Sequence, residues 1–130
     1  MPSVLLVDDA KRVRERLMAL LAECSEIRIV GQVGNGMEAL AAVEKLAPDA
    51  VVLDIRLPGK SGLQLLKEIK GKYPETKVIM LTNYDFETYR KQCLQMGADH
   101  FFNKTLEFEN VVTVLTEMAA GPGTCSDRTV

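Results

Sequence analysis

The run Ala50-Val51-Val52-Leu53 carries no polar residue at either phase of a two-residue period, so a strand made from it must be covered on both faces. Pro48 before it and the turn pair Pro58-Gly59 after it bound the run at strand length rather than helix length. Such a strand belongs inside a parallel sheet with helices on both sides. Asp54 follows it directly, at the C-terminal edge where open α/β sheets bind their ligands. Taken alone, Asp54 serves equally well as a cap for the turn behind it. The remainder of the chain decides between these readings.

Four other segments repeat the pattern. Ser3 to Val7 is a second apolar run, ending at Asp8-Asp9, and Ala10, Val13, Leu17, Leu20, Leu21 and Cys24 then recur at helical spacing. This predicts a strand followed by an amphipathic helix with an aspartate as its cap. Ile27 to Val33 reads as a strand, Gly34-Asn35-Gly36 as a turn, and Met37, Leu40, Val43 and Leu46 as the inner face of a helix that stops before Pro48. Beyond the central strand, Ser61-Gly62 opens a helix carrying Leu63, Leu66 and Ile69. A fourth strand covers 77–82, and Phe86, Tyr89, Cys93 and Met96 mark a helix closed by Gly97. Residues 98–102 form a short fifth strand, and Leu106 to Ala119 a last helix with Phe108, Val111, Val112, Leu115 and Met118 facing inward.

Five strands alternating with five helices predict an α/β fold, doubly wound and flavodoxin-like, with a five-stranded parallel sheet in the order 2-1-3-4-5. The expected domain covers residues 3–120, and residues 121–130 have the composition of a flexible tail or linker stub.

Composition narrows the function. The 130 residues suffice for one domain, and 16 Lys and Arg against 18 Asp and Glu leave no basic footprint for nucleic acid. No apolar run approaches the roughly 18 residues that span a bilayer, and no signal-type segment precedes the first strand. A cytoplasmic location is expected, with no membrane or nucleic acid bound by this chain. Cys24, Cys93 and Cys125 include no C-x-x-C pair, and one histidine does not complete a zinc site with them, so Cys24 and Cys93 read as core residues.

In the 2-1-3-4-5 order the polar residues at the strand ends converge: Asp8 and Asp9, Asp54, Thr82, and Lys104 just past the fifth strand. Three crowded carboxylates repel one another unless a cation joins them, and an all-oxygen ligand set favours Mg²⁺. An aspartate beside Mg²⁺ can attack phosphorus and form an acyl phosphate. Lys104 and the Thr82 hydroxyl would then take phosphoryl oxygens, since phosphoryl transfer rests on positioning and charge neutralisation. His100, the single histidine, has no assigned part in this chemistry.

Val7-Asp8-Asp9, Leu53-Asp54 with Pro58 and Gly62, Leu81-Thr82, and Gly97-Ala98-Asp99 followed by Lys104 together resemble the receiver domain of bacterial two-component response regulators, over about residues 3 to 119. The resemblance implies that Asp54 is the phosphoacceptor, loaded from a phosphohistidine on a histidine kinase or phosphotransfer protein. It implies that Asp9, Asp54 and the backbone carbonyl of Arg56 hold Mg²⁺ directly, with Asp8 acting chiefly through water, and that Thr82 and Phe101 switch with phosphorylation. Such a protein catalyses its own phosphorylation and slow dephosphorylation without a separate substrate, and a homodimer on phosphorylation is a further expectation. Arg56 and Tyr84 flank the site and are expected to tune acyl-phosphate lifetime, and Asn83 beside Thr82 is expected to narrow access to the phosphoryl group. Lys11, Arg14 and Met18 form an outward stripe expected to dock the phosphodonor, and Tyr84, Phe86, Tyr89 and Phe108 suggest an output surface.

Three residues depart from the family pattern: Phe101 replaces a common tyrosine, Asn83 a smaller residue, and Thr105 the proline that often follows the lysine. A cis bond without proline costs roughly 2.5–4 kcal/mol, so the Lys104–Thr105 bond is expected to be trans. Alternatives are the receiver half of a longer DNA-binding response regulator cut in its linker, and an aspartate-nucleophile phosphatase of the haloacid dehalogenase type. The adjacent pair Asp8-Asp9 breaks the D-x-D pattern of the latter. A flavin-binding module would require a phosphate loop where the two aspartates stand.

Overall fold

In the computed structural model, which describes residues 2–83 and 86–120 (Phe86, Ala119 and Ala120 through their backbone alone), five parallel strands lie in the order β2-β1-β3-β4-β5. They are β1 (Ser3–Val7), β2 (Arg28–Val33), β3 (Ala50–Leu53), β4 (Lys77–Thr82) and β5 (His100–Asn103). The helices between and after them are α1 (Lys11–Leu21), α2 (Gly36–Leu46), α3 (Gly62–Lys72), α4 (Phe86–Gln95) and α5 (Phe108–Ala120). The predicted flavodoxin-like order is therefore present. Tyr84 and the segment 121–130 lie outside the described residues.

Alternation along the buried strands feeds two apolar layers. Val4, Leu6, Val52, Ile79 and Leu81 meet Leu17 and Leu21 of α1 and Phe108, Val111 and Leu115 of α5. Leu5, Val7, Val51, Leu53 and Met80 meet Ala39 and Val43 of α2, Leu66 and Ile69 of α3, and Cys93 of α4. The absence of polar residues from β3 thus has its cause: Ala50 to Leu53 are buried on both sides. β2, at the edge, is the strand with exposed positions at Arg28 and Gln32.

Helix ends follow local chemistry more closely than apolar spacing. Asn35 caps α2 by accepting from the Glu38 N–H at 2.9 Å, and Ser61 caps α3 by accepting from Gln64 N–H at 3.2 Å. The first helix differs from expectation. Its cap position is Ala10, with no side-chain cap bond, because the Asp8 carboxylate instead turns back onto the Ala10 N–H at 2.8 Å and Asp9 stays exposed. α1 also stops at Leu21, so Cys24 reaches the core from the following turn. In α2 the packed face runs through Ala39 and Val43, whereas Met37 is 64% exposed. Leu106, expected inside the last helix, is 83% exposed and precedes α5.

Register places the site. Val7 pairs with Leu53, so Asp8 and Asp54 emerge side by side, and the Asp54 N–H donates to the Val7 carbonyl at 3.2 Å. Thr82 pairs with Asn103, and the Lys104 N–H donates to the Thr82 carbonyl at 3.2 Å. Two glycines allow the close approach that this edge needs. A Cβ on Gly62 would lie 1.9 Å from the Asp54 carbonyl oxygen, and one on Gly36 would lie 2.0 Å from that of Lys60.

Candidate functional site

Asp8 leaves β1 with its N–H on the Val33 carbonyl (3.1 Å) and is 4% exposed; Asp54 leaves β3 and is 6% exposed. Carboxylate oxygens of Asp8, Asp9 and Asp54 lie within 4.8 Å of one another. Opposite them, the Lys104 ammonium sits 2.6 Å from Asp8 Oδ2 and 2.6 Å from Asp54 Oδ2. The second Asp54 oxygen accepts from the Ile55 N–H at 2.7 Å. Sheet register brings the predicted acids and the lysine to one place, although Asp8 and Lys104 are 96 residues apart in sequence.

Burial and pairing pull the charges in opposite senses. Desolvation pushes the Asp8 carboxyl above its ordinary range, more than the Lys104 ammonium and the Ala10 N–H draw it down, and Asp54 adds repulsion. Burial also works against the charge on Lys104, yet bonds to Asp54 and Asp8 outweigh it and hold the ammonium above the ordinary lysine range. The two directions agree physically: one cation between two buried acids is stabilised twice, while Asp8 receives only a share of it. Three carboxylates against one ammonium leave excess negative charge. This donor set fits a hard divalent ion such as Mg²⁺, and exposed Asp9 leaves one side of the cluster open to solvent.

Asp54, Arg56, Thr82, Asn83 and Lys104 line a cavity of 320 Å³ above the acids. Thr82 is buried, Asn83 exposed, and Phe101 is 5% exposed within the core layer of α2, α3 and α4. Among the described residues no peptide bond is cis, so Lys104–Thr105 is trans. The Thr105 N–H and hydroxyl both point at the Asn83 side-chain carbonyl.

The expected docking stripe is corrected. Lys11 is exposed, but the Arg14 guanidinium turns inward, donating to the Asp8 carbonyl (2.5 Å) and to Gln32 Oε1 (2.9 Å). Met18 packs partly against the core and accepts from Gln32 Nε2, so it has the core role that the sequence did not suggest. Phe108 likewise leaves the expected output surface. It is 5% exposed, with the Arg16 guanidinium 4.1 Å from its ring centroid. Sequence reasoning missed the Arg14 clamp on the acidic turn, for which one basic residue in an amphipathic helix gives no signal.

Comparison with known proteins bears on the family and the fold. The model of the response regulator receiver domain matches residues 4–116. The DNA-binding transcriptional activator DevR/DosR of Mycobacterium tuberculosis is 30% identical over 98% of this chain and 59% of its own. The nitrate/nitrite response regulator NarL of Escherichia coli is 29% identical over 92% and 55%. The chain spans about half the length of the curated relatives it matches. The response regulator domain of Thermotoga maritima CheB superposes with a TM-score of 0.80 at 31% identity, covering 92% of this chain and 93% of that one.

Proposed function

The chain belongs to the response regulator receiver family, and from that premise we propose that it is a phosphorylation-operated switch whose Asp54 accepts a phosphoryl group from a phosphohistidine on a histidine kinase or phosphotransfer protein. The observation that carries this reading is the meeting of three carboxylates with an ammonium 2.6 Å from two of them at the C-terminal edge of the sheet. Asp8, Asp9, Asp54 and the Arg56 carbonyl would hold Mg²⁺, which when bound offsets charge on the acids and on the phosphoryl oxygens.

An Asp54 carboxylate oxygen attacks phosphorus as the P–N bond to the donor imidazole breaks, and the ring, already protonated on its other nitrogen, leaves as neutral imidazole. Lys104 already touches Asp54, so its ammonium needs only a small shift to meet a phosphoryl oxygen while keeping Asp8. The Thr82 hydroxyl, from the neighbouring strand, would take another oxygen, and Phe101 behind it would report the change. Later attack by water on phosphorus returns Asp54, so the chain turns over no substrate of its own. Lys11 remains a candidate for donor docking, and a cytoplasmic location fits this partner.

Incubation with acetyl phosphate and Mg²⁺, followed by intact-mass measurement, tests the assignment. Wild type should gain one phosphoryl group only with Mg²⁺, and Asp54→Asn none. The same adduct on both proteins would remove Asp54 from the mechanism. A second reading, favoured by the half-length match to a DNA-binding activator, makes this receiver part of a longer transcription regulator. Phosphorylated or not, the 130-residue chain should then leave DNA unshifted in a gel, and sedimentation of both forms tests for a homodimer.

A further inference from the structure

Beyond the last rung of the sheet, one side chain continues the hydrogen-bond ladder. Lys104 N–H donates to the Thr82 carbonyl, the final backbone rung between β4 and β5. One residue further, the Thr105 N–H meets Asn83 Oδ1 at 3.1 Å, sharing its proton with Asn103 Oδ1 at 2.7 Å. The Thr105 hydroxyl donates to the same Asn83 oxygen at 3.2 Å. The Asn83 amide thus stands where a backbone carbonyl would be, and Lys104 lies between two rungs. A proline at 105 would have neither donor.

We propose that Asn83 and Thr105 are a positioning pair: by clasping the loop after β4 to the loop after β5 they hold Lys104 and Thr82 in the register that aims both at Asp54. In this role each acts through its neighbour, Asn83 through Thr82 and Thr105 through Lys104, rather than on the acids themselves. Asn83 and Lys104 share the wall of the cavity above Asp54, so slack between the loops passes directly to the groups that would hold the phosphoryl oxygens. This inference rests on the phosphoacceptor reading above.

The test compares wild type, Asn83→Ala, Thr105→Val, the double variant and Thr105→Ser. Two quantities are read: the rate of acyl-phosphate formation from acetyl phosphate, and Mg²⁺ affinity by calorimetry. Asn83→Ala should slow formation about fivefold, the worth of one ordinary hydrogen bond, with Mg²⁺ affinity within about twofold of wild type. Thr105→Val should slow it less, the double variant should match Asn83→Ala, and Thr105→Ser should match wild type. Multiplying single effects, a parallel fall in Mg²⁺ affinity, or a Thr105→Ser defect equal to that of Thr105→Val would each overturn the pair. Faster formation in Asn83→Ala would overturn it too, making Asn83 a steric gate. No adduct on wild type would instead remove the phosphoacceptor reading, and this inference with it.

Discussion

Lys104 is the residue on which the most charge depends. Its side chain is 15% exposed and bridges two carboxylates that are themselves buried. Removing one partner of a buried pair leaves an uncompensated charge, commonly worth about 3–5 kcal/mol. Lys104→Met should therefore destabilise the metal-free protein at pH 7 by about 2–4 kcal/mol in urea unfolding. Under the proposed function Mg²⁺ should restore more stability to the variant than it adds to wild type, because it replaces the missing cation. An equal Mg²⁺ effect on both would show that lysine and metal do not share this charge. Gly62 makes a steric counterpart: Gly62→Ala sets a methyl 1.9 Å from the Asp54 carbonyl oxygen. Backbone must shift, so a loss of about 2–3 kcal/mol is expected, with weakened Mg²⁺ binding by calorimetry. The Asp54 and Lys104 positions were legible in the sequence because each follows a recognisable strand. Arg14 was not, since its bond to the Asp8 carbonyl depends on how α1 lies against β2.

Element junctions hold two further tests. Asp99 opens β5 and accepts from Lys70 of α3 at 2.8 Å and from the Val78 N–H of β4 at 2.9 Å, tying three elements together. Burial alone would raise its carboxyl, but these two donors prevail and hold it below the ordinary carboxylate range. A depressed folded value means the contribution is complete above about pH 3.9 and fades as pH falls toward the folded value. Asp99→Asn should cost about 1–3 kcal/mol at pH 7 and much less in strong acid, as urea unfolding at both pH values would show. α2 ends at Ala47 with φ 45°, a left-handed conformation that a Cβ disfavours. Ala47→Gly should raise stability by about 0.5–1 kcal/mol, and a loss on thermal unfolding would contradict the strain. Pro48 announced the end of this helix in the sequence, but the backbone angle that ends it was not legible. Apolar spacing placed the inner face of α2 only in part: Leu40 and Val43 pack on the core as expected, but Met37 is apolar yet exposed, while small Ala39 lies against the sheet.

For the whole molecule, the sheet divides the core into two apolar layers, and the acidic cluster with Lys104 lies at one edge of that sheet. Cys93 lies on the inner face of α4 at 0% exposure, and burial pushes its thiol up to about 11. It should resist alkylation at pH 8 and react only when α4 opens, as peptide mapping of labelled protein would show. Fast labelling at Cys93 in the folded state would mean that α4 is not held as described. Among the described residues no helix is long and apolar enough to cross a membrane.

The sequence by itself determined the alternation of strands and helices, the two-sided burial of β3, and which polar residues stand at strand ends. These are local properties: periodicity, turn residues and the lack of polar groups act over a few neighbours. Tertiary structure alone decided that Lys104 bridges Asp8 and Asp54, that Arg14 and Met18 turn inward, and that Asn83 meets Thr105. All but the Arg14 bond to the Asp8 carbonyl, six residues away, join segments well separated in the chain, and strand register and helix placement set the few ångströms between them.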